Sequence, residues 1–316
     1  MSNLPEGSGT VTSQSPPTAT SSITPRVPRH SVLLQRTIAL MKPVTWFAPA
    51  WAFLCGALAS GGLGLAPETI GRLVLGLLMA GPILCGLSQV VNDFCDQEVD
   101  AINEPHRLIP AGLVSLRHIQ IVTVGLTWIG TSIALFLGRE VALFVGVGLI
   151  FALMYSMKPV RAKRNGWIGN TLVAFSYEGL AWLAGHAAFG ALTWQSVVVA
   201  TLYSVGAHGI MTVNDFKSMH GDAQMGIQSI PVQYGKRIAA QLVVATMALA
   251  QIGVIGALLW WGHPIAASVI LLLLLIQTVP YTRFLRDPEH NAVFFNATAI
   301  MLFVWGMIAA AIGLAA

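Results

Sequence analysis

Long apolar runs alternate with short polar segments along most of this 316-residue chain. A membrane-spanning α-helix needs about 20 apolar residues, and most of the runs reach that length. A helix also satisfies its own backbone hydrogen bonds, as crossing lipid requires. The runs predict an all-α membrane bundle of about nine transmembrane helices, at 44–65, 70–91, 117–138, 140–157, 167–190, 194–213, 238–261, 264–282 and 291–315.

The composition agrees with a membrane protein. Hydrophobic residues make up 55% of the chain and charged residues only 9%, whereas soluble domains carry about 25% charged residues. The net charge of +4 is small and gives no reason to expect a nucleic-acid partner. The three cysteines share no metal-ligand spacing, so we interpret them as reduced packing residues.

The first 35 residues differ from the rest, because they are rich in Ser, Thr and Pro and poor in large apolar side chains. This composition is typical of a disordered tail, and it lacks the early apolar stretch of a cleaved signal peptide. We therefore divide the chain into a disordered N-terminal tail, 1–35, and an intramembrane domain, 36–316.

The basic residues predict the orientation, because Lys and Arg accumulate in cytoplasmic loops. With a cytoplasmic N-terminus, the nine spans leave 15 of the 17 basic residues on the cytoplasmic side. Only Arg72 and Arg139 fall outside. We expect a multi-pass protein of a bacterial inner, cytoplasmic or intracytoplasmic, membrane, with its polar loops in the cytoplasm.

Seven of the thirteen acidic residues lie in two segments, one after the second apolar run and one after the sixth. The tetrapeptide VNDF occurs in both, at 91–94 and 213–216, and the two copies are 122 residues apart. Acidic residues follow at the same offsets, except that Ser218 replaces one of them. The chain is therefore predicted to be internally duplicated.

Offsets of three and seven residues place side chains on one helical face. Like charges on one face repel unless a cation lies between them, and hard oxygen ligands without Cys or His suit Mg²⁺. We predict that two acidic faces hold Mg²⁺ and a diphosphate through Asp93, Asp96, Asp100, Asp215 and Asp222. The alternative is a pair of solvated acidic helix ends.

Four cations, the last of them Arg164, lie within seven residues on the same side of the membrane as the acidic segments. Cations there suit a diphosphate leaving group, although positive-inside anchoring is the alternative. The predicted diphosphate partners are Lys158, Arg161, Arg107 and Lys217.

Two further side chains have two interpretations each. The ring of Tyr155, at the end of the fourth span, could stabilise a carbocation or anchor that span at the interface. His208, in the sixth span, could line a substrate cavity or form a hydrogen-bonded core histidine. Two metal-binding faces, a cationic strip and a membrane cavity together indicate ionisation of a lipidic allylic diphosphate and capture of the allylic cation, which is prenyl transfer.

At this point the sequence resembles the UbiA-type intramembrane prenyltransferases over about residues 40–310. Asn92, Asp93, Asp96 and Asp100 match their first aspartate motif, and Asn214 to Asp222 are similar to the second. The resemblance implies nine helices, Mg²⁺ and a prenyl diphosphate substrate. It also implies substrate-binding roles for Asn92 and Asn214.

Within that family the resemblance is closest to chlorophyll and bacteriochlorophyll synthases. It is carried by NDFCDQEVDAINEPHRLIPAG (92–112), NGWIGN (165–170), SYEGLAWLAG (176–185) and NDFKSMHGDAQMGIQSIPVQYG (214–235). The resemblance implies transfer of a geranylgeranyl or phytyl group to the propionate of bacteriochlorophyllide, in a membrane where pigment-binding apoproteins could be partners. A carboxylate is already nucleophilic at neutral pH, so no catalytic triad is expected.

The chain departs from the pigment synthases at the diphosphate end. His220 replaces a usual Glu, Ala223 an Arg, and Leu108 and Ala111 alter a familiar RPIPSG stretch. His220 is predicted to contact the diphosphate when protonated. The alternatives are another acceptor (chlorophyllide, a quinone precursor or haem), a non-catalytic pigment-binding homologue, and a multi-span transporter.

Overall fold

The computed structural model describes residues 29–316, without the side chains of residues 29–31 and 103. Those residues form helices, turns and loops, with one isolated bridge between Asn165 and Gln228. The predicted all-α membrane bundle is thus confirmed. The α-helices are α1 (Arg29–Leu40), α2 (Phe47–Ala59), α3 (Pro67–Leu78), α4 (Gly86–Asn103), α5 (Leu116–Leu137), α6 (Arg139–Ser156), α7 (Gly166–Ala174), α8 (Ala181–Phe189), α9 (Trp194–Gln224), α10 (Ile230–Trp260), α11 (Pro264–Arg286), α12 (Pro288–Phe295) and α13 (Met301–Ala315).

The predicted tail lies mostly outside the described residues, since 1–28 are not described. The boundary predicted at residue 35 falls inside α1, which begins at Arg29. This helix is anchored by its own polar residues. Arg36 donates to the carbonyl oxygen of Leu113 at 2.7 Å, and Thr37 shares a hydrogen bond with His118 at 2.8 Å.

Three pairs of helices are joined through π-helical turns into continuous runs: α3 with α4, α7 with α8, and α12 with α13. The joining turns are Met79–Cys85, Phe175–Leu180 and Asn296–Ile300. The first contains Pro82, which has no N–H to donate and therefore interrupts the regular hydrogen-bond ladder. Each turn re-aims the side chains that follow it.

Among the described residues, seven helices are long and apolar enough to cross a membrane, when the α3–α4 and α12–α13 runs each count as one helix. An eighth span results if α1, its following turn and α2, which are bent by 59°, count as one. The fifth predicted span, 167–190, matches the α7–α8 run, which is not among these eight. The count of nine therefore stays a prediction.

Helices α2 and α8 cross at glycine contacts near the middle of the bundle. A Cβ on Gly56 would lie 1.9 Å from the carbonyl oxygen of Trp182, and one on Gly185 would lie 2.0 Å from that of Phe53. Small residues let helix backbones approach closely, which is a main source of packing energy between membrane helices. The α2–α8 crossing forms one wall of the cavity described below.

The loops gather at two opposite ends of the bundle. At one end Arg72 donates to the carbonyl oxygens of Leu137 and Ala188, at 2.7 and 3.0 Å. At the other end Lys236 pairs with Glu289 at 2.7 Å. This second end also holds both acidic segments, so we call it the acidic end.

Candidate active site

The first acidic segment lies in the last three turns of α4, on the side that faces α1 and the loop after α4. Asp93 is buried and receives a hydrogen bond from Lys42 Nζ at 2.7 Å. The guanidinium of Arg107 lies between two carboxylates, 3.9 Å from Asp93 and 2.9 Å from Asp100, and also pairs with Glu104. The cation expected between like charges is thus an arginine side chain.

Asp96 faces a different set of cations. Its carboxylate is 2.9 Å from Arg161 and 2.5 Å from Lys163, which also donates to Asn92 Oδ1 at 2.8 Å. On an α-helix, side chains three residues apart point in directions that differ by about 60°, whereas side chains seven residues apart differ by only about 20°. Asp93 and Asp100 therefore share Arg107, while Asp96 points toward the loop after α6.

The carboxylates of Asp93, Asp96 and Asp100, predicted to share one helical face, therefore face two different sets of cations. Within residues 29–316 no group of three or more His, Cys, Asp or Glu side chains lies close enough to hold a metal ion. Each of these carboxylates instead has a basic partner. The first acidic segment is a charge-balanced network.

The second acidic segment lies near the end of α9 and is anchored by its apolar neighbours. Val213 and Phe216 are buried, and the Phe216 ring packs edge-on against Phe284, with centroids 5.5 Å apart. Asp215 accepts a hydrogen bond from Asn170 Nδ2 at 3.2 Å. Asp222, two turns further on, accepts from Ser218 at 3.0 Å.

The loop after α6 carries the cations toward α4. Arg161 has a left-handed backbone with φ of 40°, which is uncommon for a residue other than glycine and costs conformational energy. It begins a short 3₁₀ turn, Ala162–Arg164, that directs Lys163 inward. Burial lowers the pKa of the Lys163 ammonium, and its hydrogen bond to Asp96 opposes that shift.

A cavity of about 640 Å³ extends from the acidic end into the bundle. Most of its lining is apolar and comes from α2, α4, α6 and the α7–α8 run. Its polar end includes Asn92, Tyr155, Asn170, Asn214 and Asp215. Because Asn92 and Asn214 come from the two VNDF copies, the duplicated segments meet at one end of one cavity.

Tyr155 lies at this junction. Its ring lines the cavity, and Lys163 Nζ stands 6.0 Å from the ring centroid. Asn92 and Asp215, one from each acidic segment, line the same end of the cavity. The structure therefore puts Tyr155 between the two acidic segments.

Several predicted binding residues lie away from the cavity. Lys158 is exposed and forms no ion pair with the described residues. Lys217 and His220 are also exposed on α9, and His220 hydrogen-bonds Gln224 at 3.0 Å. Lys217 and His220 lie on the exposed face of α9, two and five residues beyond Asp215.

His208 is not among the residues that line the described cavity, so its role as a cavity residue stays a prediction. Its Nδ1 shares a hydrogen bond with Thr171 at 3.1 Å, and its ring stacks on Trp167 with centroids 5.3 Å apart. These contacts fit the alternative of a hydrogen-bonded core histidine, although its Nε2 is buried without a partner among the described residues.

Three residues of the site were not among the predicted ones: Lys42, Lys163 and Asn170. Lys163 belongs to the cationic run, and Asn170 closes the NGWIGN stretch, so the sequence held a signal for both. Lys42 had none, because its contact with Asp93 joins residues that are 51 positions apart.

The model of the UbiA prenyltransferase family matches residues 48–314. The chain is 72% identical to the bacteriochlorophyll synthase 34 kDa chain of Chloroflexus aurantiacus, over 90% of this chain and 91% of that one. It is 43% identical to the bacteriochlorophyll synthase 33 kDa chain of Cereibacter sphaeroides, over 92% and 95%.

A solved structure has the same fold. It is a UbiA homologue from Archaeoglobus fulgidus bound to GPP and Mg²⁺, and it superposes with a TM-score of 0.65. The alignment covers 86% of this chain and 99% of that chain, at 20% sequence identity. At this identity the likeness establishes the fold.

Proposed function

Because the chain belongs to the UbiA prenyltransferase family, we propose that it esterifies bacteriochlorophyllide a with a geranylgeranyl or phytyl group. The donor is the prenyl diphosphate, and the product ester forms at the pigment's propionate. One geometric observation carries the proposal: an apolar cavity ends where the two acidic segments meet. The similarity to the Chloroflexus synthase supports the choice of acceptor.

The donor's two parts have different requirements. Its hydrocarbon tail needs apolar walls, which the cavity offers along α2, α4, α6 and the α7–α8 run. Its diphosphate needs cations, and Lys42, Arg107, Arg161 and Lys163 all lie beside the first acidic segment. We propose that these four cations bind the diphosphate and stabilise its charge as it leaves.

The carboxylates fit Mg²⁺, which usually binds through one or two carboxylates together with substrate phosphates. In the described part of the chain Asp215 and Asp222 have no cationic partner, so their oxygens are available to a metal. The proposed ligands are Asp93, Asp96, Asp100, Asp215 and Asp222. When bound, Mg²⁺ would neutralise charge on the departing diphosphate, and the archaeal homologue was itself bound to GPP and Mg²⁺.

The remaining site residues act on the allylic carbon and its surroundings. The face of the Tyr155 ring is proposed to stabilise positive charge on that carbon. Asn92 and Asn214 line the same end and are proposed to bind the diphosphate oxygens. The apolar walls exclude water, which would otherwise capture the cation.

The acceptor needs no strong general base, because a propionate is ionised at neutral pH. One of its oxygens supplies the electron pair for the new C–O bond, while the old C–O bond breaks and its electrons leave with diphosphate. Lys158, Lys217 and His220 are proposed to attract the anionic donor to the acidic end, since all three are exposed there.

We also propose a bacterial inner membrane as the location, with the acidic end in the cytoplasm. The distribution of basic residues supports this orientation, because Lys42, Arg161 and Lys236 lie at the acidic end, whereas Arg72 lies at the other.

A direct assay tests the function. Purified protein receives Mg²⁺ and geranylgeranyl diphosphate, with bacteriochlorophyllide a and chlorophyllide a offered in parallel, and chromatography detects esterified pigment. We expect Mg²⁺-dependent ester with bacteriochlorophyllide a as the better acceptor. Folded protein that esterifies neither pigment would contradict the proposal, and a preference for chlorophyllide a would correct the acceptor.

A further inference from the structure

A cluster of polar side chains lies in the cavity wall, deeper than the acidic end. Cys85, Ser88, Gln89 and Asn92 follow one face of the α3–α4 run at helical spacing, and all four line the cavity. Tyr177 faces them from the α7–α8 run. Two π-helical turns meet here, since Cys85 ends one and Tyr177 belongs to the other, with Cys85 Sγ 3.3 Å from Tyr177 Oη. Turns of this kind frequently occur at functional sites.

The hydrogen bonds in this cluster have a defined direction. The Ser88 hydroxyl donates to the carbonyl oxygen of Cys85 at 2.7 Å, so toward Tyr177 it can only accept, at 3.1 Å. The Tyr177 hydroxyl therefore donates to Ser88 and accepts from Gln89 Nε2 at 3.0 Å. This chain orients the Gln89 amide with its nitrogen toward Tyr177.

One N–H group and the carbonyl oxygen of the Gln89 amide remain available. Only one of its two N–H groups is used by Tyr177, and the described residues offer no other partner for this side chain. Gln89 lines an apolar cavity, where an unused donor is costly unless a ligand or water satisfies it. The wall therefore presents one oriented, uncharged N–H donor, with the amide oxygen Oε1 beside it, to whatever occupies the cavity.

We propose that this N–H of Gln89 binds the carboxylate of the acceptor pigment and directs it at the allylic carbon; the inference rests on the proposed function. Gln89 precedes Asn92 by three residues, a rise of about 4.5 Å along the helix. A carboxylate at Gln89 therefore lies on the cavity side of the diphosphate, where the allylic carbon must be. An uncharged donor also suits a nucleophile, because a cation would pair with the carboxylate and compete for the diphosphate.

Unlike Asn92, the side chains of Ser88, Gln89 and Tyr177 have no role in breaking the donor's C–O bond, so their effects should fall on the acceptor alone. Tyr177 and Ser88 are positioning residues in this scheme, because they orient the amide without touching the pigment. Replacing Gln89 should weaken binding of the free acid and leave binding of a pigment that lacks the carboxylate unchanged.

The test compares bacteriochlorophyllide a with its propionate methyl ester in equilibrium binding to the full-length protein, followed by pigment fluorescence. We expect the wild type to prefer the acid, and Gln89→Leu to lower the affinity for the acid about tenfold or more, the value of a hydrogen bond to a charged group. Gln89→Glu should lower it further by charge repulsion. Affinity for the ester and KM for the prenyl diphosphate should stay near wild type.

Thr127→Val is the matched control. Thr127 lines the same cavity from α5, but its hydroxyl already donates to the carbonyl oxygen of Thr123 at 2.8 Å. It should keep the wild-type preference for the acid. Tyr177→Phe, a second variant that retains the ring, should reduce that preference by releasing the amide.

The outcomes separate the two proposals. A wild type that esterifies the pigment but binds acid and ester equally, or a Gln89→Leu variant that keeps the full preference, overturns the role of Gln89 alone. A folded wild type that binds neither pigment and forms no ester overturns the proposed function, and this inference with it.

Discussion

Arg107 explains how several carboxylates can share one helix end without a metal. Its guanidinium lies between Asp93 and Asp100, and Lys42 covers the other side of Asp93. Removing one partner from a buried charged network is costly because the other charge is left uncompensated. Binding of Mg²⁺ and diphosphate would therefore exchange ion pairs, with carboxylates turning to the metal and the basic residues to phosphate.

Asp93→Asn tests this exchange with almost no change of shape. The substitution removes one proposed metal ligand and the partner of Lys42, so we expect turnover to fall by about 100-fold or more, as when other electrostatic catalytic groups are removed. Insertion into the membrane should be normal. Glu98→Gln is the control, since Glu98 is an exposed acid on the same helix and forms no ion pair with the described residues. Near-normal turnover in Asp93→Asn would contradict the assignment.

Lys163 and Lys158 offer a comparison within one loop. Lys163 is held against Asp96 and over the Tyr155 ring, whereas Lys158 is exposed. Lys163→Met should raise KM for the prenyl diphosphate about tenfold or more, since it removes a charged hydrogen-bond donor, and should leave KM for the pigment nearly unchanged. Lys158→Met should have a smaller effect on the donor. Steady-state kinetics with each substrate varied in turn measures both, and equal effects would exclude a special role for Lys163.

Helices were the most predictable level of this structure. The apolar runs indicated where helices cross the membrane, but they end near 91 and 213, whereas α4 and α9 continue through Asn103 and Gln224. A hydropathy pattern records the lipid boundary, and a helix can extend beyond it into water. The offsets of the acidic residues did predict that these extensions are helical.

The interior contacts were less predictable, because they depend on tertiary packing. Nothing local in the sequence showed that the turn Phe175–Leu180 would bring Tyr177 against Gln89. The partner of Asp93 likewise comes from a distant segment. Sequence thus indicated the chemistry of the site, while the three-dimensional fold determined which cation faces which carboxylate.

The α2–α8 crossing should be sensitive to a single methyl group. Gly185→Ala would place a Cβ 2.0 Å from the Phe53 carbonyl oxygen, so the helices must separate. Overpacking of this kind costs about 1–3 kcal/mol, and we expect a lower melting temperature in detergent. Gly146→Ala is the control, because nothing lies within 4 Å of the Cβ it would add. Equal melting temperatures for both variants would contradict the close crossing.

Across the whole molecule, one cavity receives both segments that carry the VNDF tetrapeptide, as the predicted duplication would require. Each VNDF copy contributes one asparagine, Asn92 or Asn214, to the same polar end. The two copies lie at the ends of α4 and α9, on the side of the bundle that carries most of the basic residues. Function and membrane orientation are therefore linked, because the water-soluble diphosphate must leave from this side.

Single cysteines labelled with a membrane-impermeant maleimide test that orientation. Cys95 is first replaced by Ser, since it is the least buried of the native cysteines. A cysteine in place of Arg286, exposed at the acidic end, should react only when the cytoplasmic side is accessible, as in inverted vesicles. Gly64 is exposed, precedes Arg72 in the chain, and has no atom within 4 Å of the Cβ that a substitution would add. A cysteine in its place should react in intact spheroplasts. The reverse pattern would put diphosphate release on the periplasmic side, away from the cytoplasm, and would contradict the basic-residue rule for this chain.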